Sequence, residues 1–456
     1  MDVETLIVGA GISGLSAAFF LRQQGRDVAV IEASGRAGGN IGTFEHEGYL
    51  LEAGPNTLLD NHPAIRELID GLGLREAARE ANPQAKRRYV VRDGRAVQLP
   101  GSPPAFLTTR LFSCKGKLRL LLEPFIGRAD HEESVAGFVR RRLGQEFLDW
   151  AIDPFVSGVY AGDPERLSVR AATARVYALE RDHGSLLIGA VKKAFKARKT
   201  EVQTGPIGHM LSFERGLGQL VDALLASMFD RLHLNTPAQS IRHADGRWHV
   251  DTPNGVYSAK ELVLALPADG VANLLETRSD SRDMFTEQGV KALREIPYPP
   301  VASVALGFRR EDVAHPLDGF GVLIPSRENR ITLGALFSST LFDGRAPNGH
   351  VSLTVFIGGR KHEQVGAWTD ERVLDRVLAD LGPILGFRAP PSMAHVNRWP
   401  RAIPQYELGH LGRIARVDEA LAGLPGLYTR ANWRDGVSVS DCIRNGKALA
   451  ERMAGA

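Results

Sequence analysis

Thr5-Leu6-Ile7-Val8-Gly9-Ala10-Gly11-Ile12-Ser13-Gly14 decides how the chain is read, together with the acid that closes the unit at Glu32. Four residues of apolar character predict a buried strand, and the glycines after them predict a tight turn into a helix. A second apolar run, Val28 to Ile31, ends directly at Glu32, eighteen residues past Gly14. Strand, glycine loop, helix, strand and acid in that order form a grip for a dinucleotide. Glycines let the backbone approach a pyrophosphate, the helix start turns its positive end toward it, and the acid accepts the ribose hydroxyls. Gly9, Gly11, Ile12, Ser13 and Gly14 are the candidate pyrophosphate contacts, with Glu32 and the adjoining Ala33 next along the cofactor.

Working outward, Arg36-Ala37-Gly38-Gly39-Asn40 arrives where a nicotinamide-binding fold would continue into its next helix. Glu32-x3-Arg36-x-Gly38-Gly39 resembles the extended signature of the FAD-dependent amine oxidase superfamily. The resemblance implies FAD as cofactor, Arg36, Gly38 and Gly39 beside its diphosphate, and Gly54, Pro55 and Asn56 near the isoalloxazine. It also implies Ala238 against the adenine, Trp399 among the cofactor contacts, and Gly436, Val437, Ser438 and Val439 at the flavin pyrimidine, where a final helix, Asp441 to Met453, begins. Two departures stand out. Arg215 occupies a place where the superfamily usually has a second glycine, and Ala431-Asn432 replaces its usual glycine-asparagine.

Composition narrows the class without naming the chemistry. A length of 456 residues exceeds one hydrophobic core and predicts two or three domains. With 56 basic and 53 acidic side chains the net charge is +3, which argues against a dedicated nucleic-acid binder. Cys114 and Cys442 are far apart, and thirteen scattered histidines form no ligand motif, so neither a disulfide framework nor a metal site is expected. Leu6 to Leu21 carries no charge, but Asp2 and Glu4 precede it where a signal peptide would have basic residues. No other stretch approaches the roughly twenty apolar residues needed to span a bilayer.

Periodicity predicts a helix over 65–74, a hairpin of 89–91 and 96–99 around Asp93-Gly94, and then helices over 117–126, 134–143, 147–155, 171–181 and 186–197. Basic clusters lie at 86–88, 140–142 and 192–199. After this helical stretch, Phe213 to Leu220 is expected to open a helix reaching Phe229, followed by a strand at 232–234, a meander turning at Asp245-Gly246 and Asn254-Gly255, a buried strand over 261–267 and a last strand at 427–429.

Asn82-Pro83-Gln84-Ala85-Lys86-Arg87-Arg88-Tyr89, Ser157-Gly158-Val159-Tyr160-Ala161-Gly162-Asp163-Pro164 and Gly319-Phe320-Gly321-Val322-Leu323-Ile324-Pro325 resemble the protoporphyrinogen oxidase family. Trp399 to Tyr406 and Gly436 to Cys442 continue the likeness over nearly the whole chain. The family implies a porphyrinogen substrate held by Arg88 through a propionate, with Phe320, Gly321, Leu323, Leu336 and Phe356 as apolar walls. A guanidinium can hold a carboxylate by two parallel hydrogen bonds. Periodicity alone would leave the apolar residues as ordinary core, and Lys86 and Arg87 read as a solvated face. The expected chemistry is oxidation of protoporphyrinogen IX to protoporphyrin IX in three two-electron flavin cycles, within heme and porphyrin biosynthesis and without a catalytic side chain.

The expected fold is α/β: a Rossmann-like FAD-binding domain (1–80, 201–270, 401–456) interleaved with a mixed-sheet substrate domain (81–100, 271–400) and a helical insertion (101–200). Expected partners are the porphyrinogen, oxygen or another electron acceptor, a membrane surface and a second copy in a homodimer, in a cytoplasmic protein peripheral to the inner face of the cell membrane. Phe106, Leu107, Leu111, Phe112 and 118–126, mixed with Arg110, Lys115, Lys117 and Arg119, suit an interfacial helix, and equally an ordinary amphipathic one. Three other readings stay open: a coproporphyrinogen III oxidase, an amine oxidase with Trp433 in an aromatic cage, and a prenyl-binding escort protein.

Overall fold

The computed structural model describes residues 1–199, 209–277 and 284–455. The expected boundary at 200/201 and the side chains of 194–199 within the basic 192–199 stretch lie outside the described residues.

In the first of two seven-stranded sheets, Asp2–Val8 runs parallel to Val28–Ile31 on one side and to Gly255–Leu264 on the other. Leu232–His233 and Leu427–Thr429 extend the parallel region outward. Apolar packing covers both faces: Ile7 joins the helices Ile12–Gln23 and Val439–Ala454, while Leu6 and Val8 join Ala268–Glu276. Strands covered on both faces read as continuous apolar runs. One strand changes character along its length. Instead of a separate strand over 261–267, Gly255–Leu264 is continuous, its first half the third strand of the antiparallel meander and its last three residues paired with Leu427–Thr429. Burial alternates at first and becomes unbroken over 262–264, where the second face is also covered.

The second sheet runs Met393–Trp399, Val301–Arg309, His350–Gly358, Thr332–Leu336, Gly321–Leu323, Arg88–Arg92 and Arg95–Gln98. Its one face is sealed by the helix Asp370–Leu385, whose Val373, Val377 and Leu381 pack on Val304, Leu306, Val355 and Ile357. The opposite face looks back toward the first sheet through the Ala53 segment. The Asp93-Gly94 hairpin turn forms as expected, both residues having positive φ.

Several predicted helices are broken, each for a local reason. The 117–126 helix is Cys114–Leu121 followed by a short turn, because Pro124 cannot continue the hydrogen-bond ladder. The 147–155 helix is a widened turn, Leu148–Ile152, leading into Asp153–Tyr160 with Pro154 at its start. The 171–181 helix splits at Thr173 into Val169–Ala172 and Ala174–His183. In the 213–229 stretch the helix proper is Gly218–Ser227, and His209–Phe213 is instead a strand between Leu58–Asp60 and Ala78–Glu80. Within the 140–142 cluster Arg140 is exposed, whereas Arg142 is wholly buried and paired with Glu123 and Glu180.

Candidate active site

At the cofactor end the structure clears side chains away from a backbone channel. Gly9 has φ +107°, and a Cβ there would lie 2.7 Å from the Ala265 carbonyl oxygen. At Gly14 a Cβ would fall 2.1 Å from the Gly9 oxygen, so the helix cannot begin this close to the strand with any larger residue. Gly11, the residue before Ile12–Gln23, supplies no side-chain cap, which leaves the first-turn N–H groups of that helix to a ligand. Across the channel Gly38 donates its N–H to the Ala10 carbonyl at 2.8 Å. The nearest atom to a Cβ built on Gly11 is Gly39 Cα, 4.0 Å away. The walls are therefore bare backbone, the lining a pyrophosphate requires.

Glu32 is fixed for the adjacent position. One of its oxygens accepts from the Ala10 N–H at 2.8 Å, the other from the N–H and hydroxyl of Ser34, both at 2.9 Å. Ala33 is exposed beside it. Thr236 donates its N–H to the Glu32 carbonyl, bringing the 236–238 turn to the same edge, with Ala238 half-buried on the first sheet's core. Arg36 acts on the loop itself: its guanidinium donates to the carbonyls of Gly39 at 2.6 Å and Ile41 at 2.9 Å. Its contribution in this arrangement is to hold the Gly38-Gly39 turn.

Both departures prove harmless to the local backbone. The strained residue of the 213–218 turn is Gly216, at φ +81°, while Arg215 points to solvent. The segment around Ala431 is tied down by Arg430 to Asp435 and by Arg434 to Thr429. It leads to Ser438, whose hydroxyl accepts from the Asp441 N–H at 3.0 Å and caps Val439–Ala454. Ser440, in the first turn of that helix, uses its hydroxyl to bond the Leu59 backbone. Val437 is half-buried, Val439 buried, and Ser13 hydrogen-bonds Cys442, a thiol that burial pushes up to about 11.

The residues expected at the substrate converge on one face of the second sheet. Strand register places Arg88, Gly321, Leu336 and Thr354 in one row, and Val90, Leu323, Gly334 and Phe356 in the next row on the same side. Gly321 is needed for close approach, since a Cβ there would sit 2.2 Å from the Ala335 carbonyl oxygen. Phe320 precedes the strand and packs with Ala85, Leu336, Leu341 and Phe342. Phe356 belongs to a small cluster with Ala161, Leu333 and Trp399.

Charge separates two adjacent arginines. Arg87 is paired with Asp318, which also accepts from the Tyr89 hydroxyl at 2.6 Å; these contacts, led by the tyrosine hydrogen bond, hold the Asp318 carboxyl below its usual value. Arg88 is exposed, lies 5.5 Å over the Phe320 ring and has no carboxylate partner among the described residues.

Both ends meet at the Ala53 carbonyl. Three donors of the second sheet converge on it: Asn397 Nδ2 at 2.8 Å, Trp399 Nε1 at 2.9 Å and Ser303 Oγ at 3.2 Å. The next residue, Gly54, is pressed so close to the cofactor loop that a Cβ would be 2.0 Å from the Asn40 oxygen. Pro55 follows, and Asn56 donates back to the Gly54 carbonyl at 3.0 Å. Trp399 therefore holds the joint between the two ends. Ser303 and Asn397 carry no local signal in the sequence; only strand pairing makes them neighbours.

Trp433, the aromatic-cage candidate, is fully buried in the core of the first sheet and donates to the Leu266 carbonyl at 3.0 Å. It lines no cage.

Comparison with known proteins gives four findings. Residues 12–454 match the family of flavin containing amine oxidoreductases. Protoporphyrinogen oxidase 2, chloroplastic/mitochondrial, of Arabidopsis thaliana is 33% identical over 98% of this chain and 92% of its own length. Coproporphyrinogen III oxidase of Bacillus subtilis is 28% identical over 98% of this chain and 96% of its own. Among solved structures, a candidate protoporphyrinogen oxidase from Exiguobacterium sp. 255-15 superposes with a TM-score of 0.81, at 26% identity, over 99% of this chain and 98% of that one.

Proposed function

The chain belongs to the flavin-containing amine oxidoreductases and is an FAD-dependent enzyme, and from that premise we propose that it oxidises protoporphyrinogen IX to protoporphyrin IX. The observation that carries this reading is the Arg88 guanidinium, without a carboxylate partner among the described residues, at the edge of an apolar face made by Leu323, Leu336 and Phe356, joined through Ala53 to the cofactor end. A tetrapyrrole with acidic side chains calls for wide apolar walls and a cation. Bound FAD supplies the chemistry, accepting six electrons in three two-electron cycles and passing them to oxygen or another acceptor.

The side chains bind and orient. Arg88 takes a propionate, Leu336 and Phe356 exclude water from the ring system, and the Ala53 joint fixes the distance between the two ends. No serine, histidine or carboxylate is assigned a proton; the pyrrole nitrogens give theirs to solvent. Incubation of the yellow protein in air with protoporphyrinogen, and separately with coproporphyrinogen, is followed by porphyrin fluorescence. Faster oxidation of protoporphyrinogen supports the reading, a preference for coproporphyrinogen moves it to the neighbouring substrate, and no rate above a flavin-free control rejects both.

We propose as well that the helical insertion rests on a bilayer surface. Leu107, Leu118, Leu121, Leu122 and Phe125 are exposed, Phe125 to 85%, and Arg110 and Lys115 stand among them. Leu111 and Phe112, expected on the same surface, are buried, Phe112 stacking on Phe147. Co-sedimentation with anionic liposomes is the expected outcome; protein remaining wholly in the supernatant rejects it. Among the described residues no helix is long and apolar enough to cross a membrane.

A further inference from the structure

Tyr406 lies outside every role assigned above, although its surroundings are among the most constrained in the molecule. Its ring is buried and stacks on His410 at 4.2 Å with planes 12° apart. Its hydroxyl donates to the Asn432 carbonyl and accepts from the Gly436 N–H at 2.9 Å. One phenol therefore closes both ends of the 432–436 loop.

The loop has little freedom to compensate for a lost hydroxyl. Gly436 sits at φ +135°, and a Cβ there would come within 2.5 Å of the Asp441 side chain, in the first turn of Val439–Ala454. A displacement at 436 is therefore passed to Ser438 and the helix start. The other side of the clamp is fixed as well: the Ser168 N–H donates to the Tyr406 carbonyl at 2.8 Å, and Gln405 Nε2 donates to the Tyr160 carbonyl at 2.9 Å. The clamp thus ties the helical insertion to the loop before the last helix.

We propose that Tyr406 is a positioning residue for the cofactor, its hydroxyl setting the backbone of 432–436 so that Gly436 to Val439 meet the flavin. The inference rests on the assignment of those four residues to the flavin and is independent of the substrate. Removing the hydroxyl leaves the half-buried Gly436 N–H and Asn432 carbonyl without this partner, which strains the loop in the free protein and releases the geometry needed for binding.

The test measures FAD affinity on apoprotein reconstituted with FAD, by quenching of flavin fluorescence, with the visible circular dichroism of bound flavin as second readout. For Y406F the dissociation constant is expected to rise at least fivefold and the dichroism to change. Should that variant not fold, His410→Ala, which removes the stacking plate, is expected to weaken FAD at least threefold, and His410→Phe, which keeps a ring, to restore it. A merely structural role would lower the apoprotein's melting temperature and leave FAD affinity and dichroism as in the parent, and that result overturns the proposal, as would equal FAD affinity in H410A and H410F. A parent protein that itself binds no FAD would instead remove the cofactor assignment.

Discussion

The two ends of the proposed active site are built to meet anionic groups by opposite means. At the cofactor end the side chains are withdrawn: Gly9, Gly11, Gly14, Gly38 and Gly39 expose backbone, and the positive potential comes from the start of Ile12–Gln23. At the substrate end the backbone is spent on strand pairing and a guanidinium, Arg88, supplies the charge from the rim of an apolar sheet. A backbone cradle is rigid and intolerant of added atoms. A side-chain cation on a strand adapts to a bulky ligand and can be removed without disturbing the fold.

That contrast predicts the largest effect at Gly14. Gly14→Ala forces a Cβ against the Gly9 carbonyl, 2.1 Å away, where neither strand nor helix can yield. The purified variant is expected to be colourless, with no flavin absorbance near 450 nm, on the order of a thousandfold loss of affinity. A yellow Gly14→Ala protein would break the claim that bare backbone is required.

Next in size is a pH effect at the clamp. Burial, aided by Arg413, pushes His410 down to about 4 from an ordinary value near 6.5, so the folded protein keeps it neutral. Below pH 6.5 the unfolded chain binds a proton that the folded one refuses, so stability falls as pH drops from 6.5 toward 4, by about 3 kcal/mol at about 1.4 kcal/mol per pH unit. Thermal melts across this range should show the decline, and H410F should flatten it. Identical slopes would mean that other groups govern the acid limb.

Arg88→Ala is expected to raise the KM for the porphyrinogen by ten- to a hundredfold, about 1.5–3 kcal/mol, with flavin content unchanged. Arg87→Ala, which removes an exposed pair with Asp318, should change KM less than about threefold. Equal effects would erase the distinction between the two arginines. A smaller effect than that of Arg88 belongs to the joint: Trp399→Phe removes one of three donors to Ala53 and should cost about 1 kcal/mol, read as a modest drop in melting temperature.

The cofactor end was legible because its contacts are local. Glu32 reaches Ala10 and Ser34, the strands on either side of the loop are neighbours, and Gly14 and Gly54 are pressed against Gly9 and Asn40, although Gly9 itself is required by the distant Ala265 carbonyl. The helical insertion was legible in outline only, since Pro124, Pro154 and Thr173 break helices whose apolar spacing continues past them. Residues on the substrate face alternate as any half-buried strand does, so only the resemblance to porphyrinogen oxidases singled them out before strand register aligned Arg88 with Gly321 and Leu336.

The sequence by itself determined the flavin grip, the family and the acid-binding arginine as a candidate, because backbone conformation and helix polarity follow from neighbours along the chain. Tertiary structure decided which arginine is paired with Asp318, which hydroxyl closes the 432–436 loop and which three donors meet on Ala53. Those are differences between partners far apart in sequence: Asp318 neutralises Arg87 across 231 positions and Trp399 reaches Ala53 across 346. No local pattern encodes a partner at that range; only the packing of the two sheets selects it.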